Sequence, residues 1–405
     1  MTSARVVRIL VLGNAAAGAE KQALALAARL QQRLRAQHPA VAVALTHAQG
    51  DSDDKGVQCV RVPLRSGSIA HRLPPLLHVA MARLRGDTFF GYDLAEPHKE
   101  LLRPHSQQFC NVERAPLHVV IGCGRTTVAL CAMLKLMARD RDGVFNIQIQ
   151  HPRVPLAWFN AVVAPRHDFP MGSTNKLPQQ LHLTTGTVYA ADALEAQTRA
   201  WEDEELAIQR CLRYSDRRVA WLIGGPCRGF AFTRDDAQHM VDAFVDALRD
   251  QHASVFVTFS RRTPAQVVEL IERRLRHNFP EPERLFIWDG TGPNPYDTMR
   301  ANATAIVTTP DSISMTTEAI AAKKAVLTIS ADRAQGKFHR FHRALFQAKL
   351  TAPFTRDTVV ASLNGENSQR HKQKQWTPAD ALEQELAAIT DAIATQIMKE
   401  TAPTP

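Results

Sequence analysis

Short apolar runs recur along this chain, and each breaks off into a loop of small or polar residues before a helix-like segment begins. That alternation constrains the fold more than any other feature. The run VVRILVL leads through GNAAAGAEKQ into the helix-like QALALAARLQQRL. Further runs at residues 117–121, 144–149 and 161–164 end in Gly122-Cys123-Gly124-Arg125-Thr126-Thr127, Gln150-His151-Pro152-Arg153 and Pro165-Arg166-His167-Asp168. Runs too short for helices, bounded by turn residues and alternating with amphipathic stretches, predict an α/β chain with parallel sheets. In such sheets ligands bind outside the carboxyl ends of the strands.

A second series begins at Arg218. VAWLIGG ends in Gly224-Gly225-Pro226-Cys227-Arg228-Gly229, and SVFVTFS runs into Arg261-Arg262-Thr263-Pro264. LFIWDG is followed by Thr291-Gly292-Pro293-Asn294-Pro295-Tyr296, and AIVTTP by Asp311-Ser312-Ile313-Ser314-Met315. The last loop opens a helix that carries Glu318 one turn in. A helix start of this kind takes Asp311 or Ser312 as its cap. It also suits an anion: Ser312, Ser314 and backbone N–H groups could hold a phosphate, with Glu318 accepting from ribose hydroxyls. Four polar strand ends together outline a nucleotide-sized rim.

The two series divide the 405 residues into an N-terminal Rossmann-like domain (1–190), a charged linker helix (191–217) and a C-terminal Rossmann-like domain (218–365). A polar linker and a final helix (366–405) follow; Thr377 is the expected N-cap and Pro378 the first helical residue. Leu382, Leu386, Ile389, Ile393 and Ile397 form that helix's apolar stripe.

Several classes are disfavoured. The first loop has neither G-x-G-x-x-G nor GK[ST], which argues against a dinucleotide fingerprint and a P-loop. The six cysteines form no C-x-x-C pair and no zinc-ligand spacing, so no metal and no other cofactor is expected. Six per cent aromatic residues, without interleaved basic residues, disfavour nucleic acid as a partner, although the net charge is +9. No run reaches the roughly 20 apolar residues of a spanning helix. The first run reads as a β-strand rather than a signal peptide or presequence, which places the chain in the cytosol.

One window stands apart. RVPLRSGSIAHRLPPLLHVAMARLRG carries Arg61, Arg65, Arg72, Arg83 and Arg85 and no Asp or Glu. With Leu73, Leu76, Leu77, Val79, Met81 and Leu84 it is either a packed helix with solvated arginines or a surface for an anionic membrane.

The strings VVIGCGRTT, IQIQHPRVP, VVAPRHD, VAWLIGGPCRGF, FVTFSRRTP, WDGTGPNPY, TPDSISMTTEA and FHRFHRALFQA resemble the mitochondrial-fission "elongated mitochondria" protein family, in its order, over about residues 9–354. The resemblance implies two Rossmann-like domains facing across a cleft, the glycosyltransferase B type. It implies a fission factor recruiting or assisting a dynamin-related GTPase on the outer mitochondrial surface, as a peripheral membrane protein. The alternative is a glycosyltransferase using a nucleotide-sugar, with a lipid-linked acceptor docked on the arginine-rich window; a sugar-nucleotide epimerase ranks below it. In the enzyme version Gly224, Gly225, Ser260, Arg261, Asp311, Ser312, Ser314 and Glu318 form the nucleotide site, Lys337 is a weaker diphosphate contact, and Glu20 or His151 is the general base. The chain departs from the family at those last two positions: Glu20 stands where Asn is usual and His151 where Asp is frequent, so a catalytic carboxylate there does not carry over.

Overall fold

The computed structural model describes residues 6–37, 58–103, 116–138, 143–169, 177–190, 206–292, 294–365 and 377–401. The acidic run Glu202 to Glu205, Cys110 and the linker 366–376 lie outside them. The chain forms two compact units, residues 1–190 with 385–405, and residues 191–384.

In the first unit β1 (Val7–Gly13) leads into α1 (Ala17–Gln37), followed by β2 (Gln58–Arg61), α2 (Pro75–Arg85) and α3 (Glu96–Leu102). Then come β3 (Leu117–Cys123), α4 (Val128–Leu136), β4 (Val144–Ile149), β5 (Ala161–Pro165) and β6 (Leu181–Thr184). The sheet is parallel throughout, in the order β2-β1-β3-β4-β5-β6. Every residue of β3 and β4 is buried, as expected of a parallel strand covered on both faces. The loop after β1 is shorter than the sequence suggests. The Asn14 side chain accepts from the Ala16 N–H at 3.1 Å and starts the helix early. Gly18 therefore lies inside α1 with open space around it and serves no close approach.

The second unit opens with α5 (Leu206–Tyr214) and β7 (Arg218–Ile223), then α6 (Arg234–Leu248), β8 (Ser254–Phe259), α7 (Ala265–Asn278) and β9 (Leu285–Ile287). It continues with α8 (Tyr296–Asn302), β10 (Ala305–Thr308), α9 (Ile313–Ala321), β11 (Ala325–Thr328), α10 (Gly336–Gln347), β12 (Ala352–Pro353) and α11 (Arg356–Leu363). The parallel order is β12-β11-β10-β7-β8-β9. Fully buried Trp221 of β7 stacks on Phe244 of α6 with ring centroids 4.4 Å apart, at the centre of this core. A capping box between Thr233 and Asp236 starts α6.

The last helix, α12 (Pro378–Thr401), follows the cap Thr377, whose hydroxyl accepts from the Asp380 N–H at 3.2 Å. From residue 385 onward it belongs to the first unit. Glu385 there accepts from the Thr185 N–H at 2.6 Å and from Arg166 at 2.9 Å, and Arg33 pairs with Asp391. Leu386, Ile389, Ile393 and Ile397 are buried.

Candidate functional site

In the second unit the chain leaves β7 toward β8 on one side and later returns to β10 on the other. The crevice of an open α/β sheet lies where the order reverses in this way, at the carboxyl ends of β7 and β10. The residues there are Gly224 and Gly225 after β7, and Thr309 to Ser312 after β10.

These residues form one hydrogen-bonded centre. Thr309 Oγ1 accepts from the Gly224 N–H at 2.8 Å and donates to Asp311 Oδ1 at 2.6 Å. Asp311 Oδ2 accepts from the Gly225 N–H at 2.8 Å and from Arg262 Nη2 at 3.2 Å. Thr263 donates its hydroxyl to the Gly224 carbonyl, and Arg262 Nη1 reaches the Pro226 carbonyl at 3.1 Å. Asp311 is only 3 % exposed. Burial raises its pKa above the usual carboxylate value, against the opposing pull of Thr309, Gly225 and Arg262. The two glycines are required by protein packing. A Cβ on Gly224 would collide with the Asp311 carboxylate, and one on Gly225 would lie 2.6 Å from the Arg262 backbone.

Ser312, rather than Asp311, is the N-cap of α9, accepting from the Met315 N–H at 3.3 Å. Ser314 sits half-buried in the first turn. Glu318 lies one turn further on, where its Oε2 accepts from the Tyr296 hydroxyl at 2.7 Å and stands 4.0 Å from Arg300 Nη1. Arg300 is buried, pairs with Asp297, and donates to the Glu318 carbonyl at 2.8 Å. Burial, then the neighbouring Glu318 charge, pushes the Tyr296 hydroxyl well above its ordinary pKa, so it stays a donor. Ser260 accepts from the Arg262 N–H at 3.2 Å, while Arg261 is exposed in the same turn. Lys337 is exposed at the start of α10.

The fold thus joins Gly224 and Gly225 after β7, Ser260 after β8, and Asp311 and Ser312 after β10, with Ser314 and Glu318 along α9. Arg262, Thr263, Thr309, Tyr296 and Arg300 complete the centre and were missed from sequence. For Arg262 the signal was its neighbour: which of two adjacent arginines turns inward depends on the loop facing them. Thr309 stood two residues before an expected site carboxylate, and Tyr296 closed a quoted loop.

Glu20 and His151 belong to the first unit. Glu20 accepts from the Cys59 thiol at 3.3 Å, and burial together with this bond pushes Cys59 up to about 12. His151 Nδ1 accepts from the Arg153 N–H at 3.0 Å, and its ring stacks on Phe169 at 4.4 Å. Desolvation lowers its pKa. The neutral ring therefore carries its proton on Nε2, which makes that nitrogen a donor rather than a proton acceptor. Gln150 and Arg153, either side, are left-handed at φ 71° and 57°. Among the described residues no cluster of three His, Cys, Asp or Glu suits a metal.

The arginine-rich window forms a second surface. Pro75, His78, Val79 and Ala82 of α2 are buried, and His78 Nε2 sits 2.8 Å from the Phe90 carbonyl. Nearby, the Tyr92 hydroxyl donates to the Thr126 carbonyl at 2.6 Å. Leu76, Ala80 and Leu84, spaced i, i+4, i+8, face outward with Leu77 beside them. Leu76 is 49 %, Leu77 51 %, Leu84 89 % and the preceding Ile69 56 % exposed. Most of the large exposed hydrophobic residues described thus lie within sixteen positions, beside exposed Arg72, Arg83 and Arg85.

A family model described as Mitochondrial fission ELM1 matches residues 17–400. The mitochondrial fission protein ELM1 of Arabidopsis thaliana is 32% identical over 256 residues, 58% of this chain and 57% of that protein. The uncharacterized protein RP120 of Rickettsia prowazekii (strain Madrid E) is 27% identical over 237 residues, 53% of this chain and 64% of that one. The chain thus spans less than two thirds of the length of these relatives. Among solved structures, a candidate UDP-N-acetylglucosamine 2-epimerase from Listeria monocytogenes superposes with a TM-score of 0.54 at 11% identity, covering 98% of both chains. That likeness concerns the fold, two Rossmann-like units of the glycosyltransferase B type.

Proposed function

We propose that this chain, which belongs to the mitochondrial fission ELM1 family, is a peripheral factor that assists a dynamin-related GTPase at the mitochondrial surface. The observation that carries the membrane part is the outward face of α2, apolar and flanked by arginine. Among the described residues no helix is long and apolar enough to cross a membrane. A surface contact is therefore the mode that this face suits. Burying a leucine is worth about 1.5–3 kcal/mol, and an arginine near an anionic leaflet about 1 kcal/mol. The exposed parts of three leucines with Arg72 and Arg83 give about 5–8 kcal/mol, of the same order as the roughly 4–15 kcal/mol cost of immobilising the chain, which suits weak, reversible docking.

The second-unit centre agrees with a non-catalytic role. The Gly224 and Gly225 N–H groups at the end of β7 are already committed to Thr309 and Asp311. A dynamin-related GTPase is the partner that the family's role supplies. The test is sedimentation with anionic vesicles, then GTPase assembly on them with and without this chain. The chain should bind and raise GTPase recruitment, and Leu76→Asp/Leu84→Asp should weaken both by tenfold or more, roughly the burial of one leucine. Absence of vesicle binding at low salt would defeat the membrane part, and unchanged GTPase recruitment the partner part.

A further inference from the structure

Beside α2 the chain makes a tight turn at Gly67, with φ 73°, before the short 3₁₀ segment Ile69–His71. The Ser68 hydroxyl accepts from the Ala70 N–H at 3.2 Å, which sets the turn. Gly91 packs against this turn so closely that a Cβ there would collide with Ala70. On the far side, Arg125 Nη2 donates to the Leu73 carbonyl at 3.0 Å and ties the segment to the loop after β3. The turn carries a hollow of about 600 Å³ lined by Gly67, Ser68, Ile69, His71 and Arg72. Its size falls in the range of about 300–1,000 Å³ typical of small-ligand sites.

Among the described residues the lining is chemically one-sided. Arg72 supplies a planar fork of donors, His71 a ring N–H and Ser68 a hydroxyl, and the window from residue 61 to 86 contains no carboxylate. Arginine forks suit phosphate, and a phosphate monoester presents three oxygens where a diester presents two. The wall is not wholly polar, since Ile69 is 56 % exposed and Leu76 and Leu77 follow within eight residues. A soluble phosphate makes no use of exposed leucines, whereas a lipid places its acyl region against them.

We infer that this hollow receives the phosphate-monoester headgroup of an anionic lipid while Ile69, Leu76, Leu77 and Leu84 enter the acyl boundary. This deepens the membrane reading above and rests on it. The monoester accepts from Arg72, His71 and Ser68, and a diester headgroup of equal charge density docks through the leucines and the general field alone.

The test uses the full chain and vesicles of phosphatidic acid or phosphatidylglycerol in phosphatidylcholine, matched in surface potential. The chain should prefer phosphatidic acid by about tenfold, the worth of one charge-assisted contact. Ser68→Ala/His71→Ala/Arg72→Gln should abolish the preference yet still bind phosphatidylglycerol. Arg83→Gln, an equal loss of charge outside the hollow, should keep the preference. Melting curves check that each variant is folded, and His71→Ala/Arg72→Gln, which keeps the Ser68 hydroxyl that sets the turn, should abolish the preference as well. Equal binding to both lipids, or a preference surviving in the triple variant, overturns the headgroup site and leaves membrane docking intact. Glycerol 3-phosphate bound more tightly by the free chain than phosphatidic acid in vesicles overturns the lipid as source. Failure to bind either vesicle overturns both readings.

Discussion

Replacing Asp311 tests whether the second-unit centre is braced as the contacts imply. Its carboxylate accepts from the Gly225 N–H at 2.8 Å and from Thr309 Oγ1 at 2.6 Å, both in buried surroundings. Asp311→Ala leaves both donors without an acceptor, at about 1–3 kcal/mol each. Some of that is returned, because the buried carboxylate itself carries a desolvation cost. The expected net loss is about 2–5 kcal/mol, a large part of the ~5–15 kcal/mol stability of a domain. Asp311→Asn keeps one oxygen for the Gly225 N–H but leaves the Thr309 hydroxyl without its acceptor, so it should cost about 1–3 kcal/mol, less than the Ala variant. The two units need not unfold together, so one global midpoint is a poor readout. Amide exchange of the peptide spanning β7 and Gly225 reads the site directly. Asp311→Ala should speed that exchange about 30-fold or more, and Asp311→Asn less. The pH dependence adds a sign. A carboxyl raised in the folded state costs nothing below its unfolded pKa and costs progressively more as pH rises through its folded value. Asp311→Asn should therefore gain on the native protein from acid toward neutral pH. Equal exchange in the Ala and Asn variants, or an Ala variant within threefold of native, would refute the bracing argument.

Gly225→Ala should destabilise the second unit by about 1–3 kcal/mol, since the new Cβ would stand 2.6 Å from the Arg262 backbone; denaturation followed at buried Trp221 measures it. His342, 1 % exposed with Nε2 3.0 Å from the Pro310 carbonyl, is held neutral, its pKa brought down to about 4 by burial. Its stabilising share is full above pH 6.5 and is lost as pH falls toward 4, about 3 kcal/mol in all. The His342 ring resonances should stay flat from pH 7 to about 5, and a midpoint near 6.5 would contradict this.

Much of the architecture could be read before any coordinates. The strings around Val219–Ile223 and Val255–Phe259 are apolar at consecutive positions, as strands buried on both faces must be, and both became central strands. Local rules also placed the helix starts at Thr233 and Thr377 and narrowed that of α9 to Asp311 or Ser312, because a cap is satisfied within three residues. The first loop was read too long, because the Asn14 side chain accepts from the Ala16 N–H and starts α1 inside the stretch read as loop. The functional rim was legible only in outline. Asp311 and the glycines were named, yet what binds them was not, since Gly225 and Asp311 are 86 residues apart.

The arginine-rich window shows the same division. Its composition alone established a basic, acid-free segment with enough leucine to pack or to dock. Which residues do either depended on the neighbours of α2: His78, Val79 and Ala82 turn inward, leaving Leu76, Leu77 and Leu84 to water. Sequence by itself determined the alternation of strands and helices, the caps and the family motifs, because these are set by contacts within a few residues. Tertiary structure alone decided that β7 lies between β8 and β10, that Arg262 rather than Arg261 meets Asp311, and that three leucines remain uncovered. Those outcomes depend on which distant surfaces meet, and a backbone donor or a leucine looks the same in sequence whether its partner is protein, lipid or water.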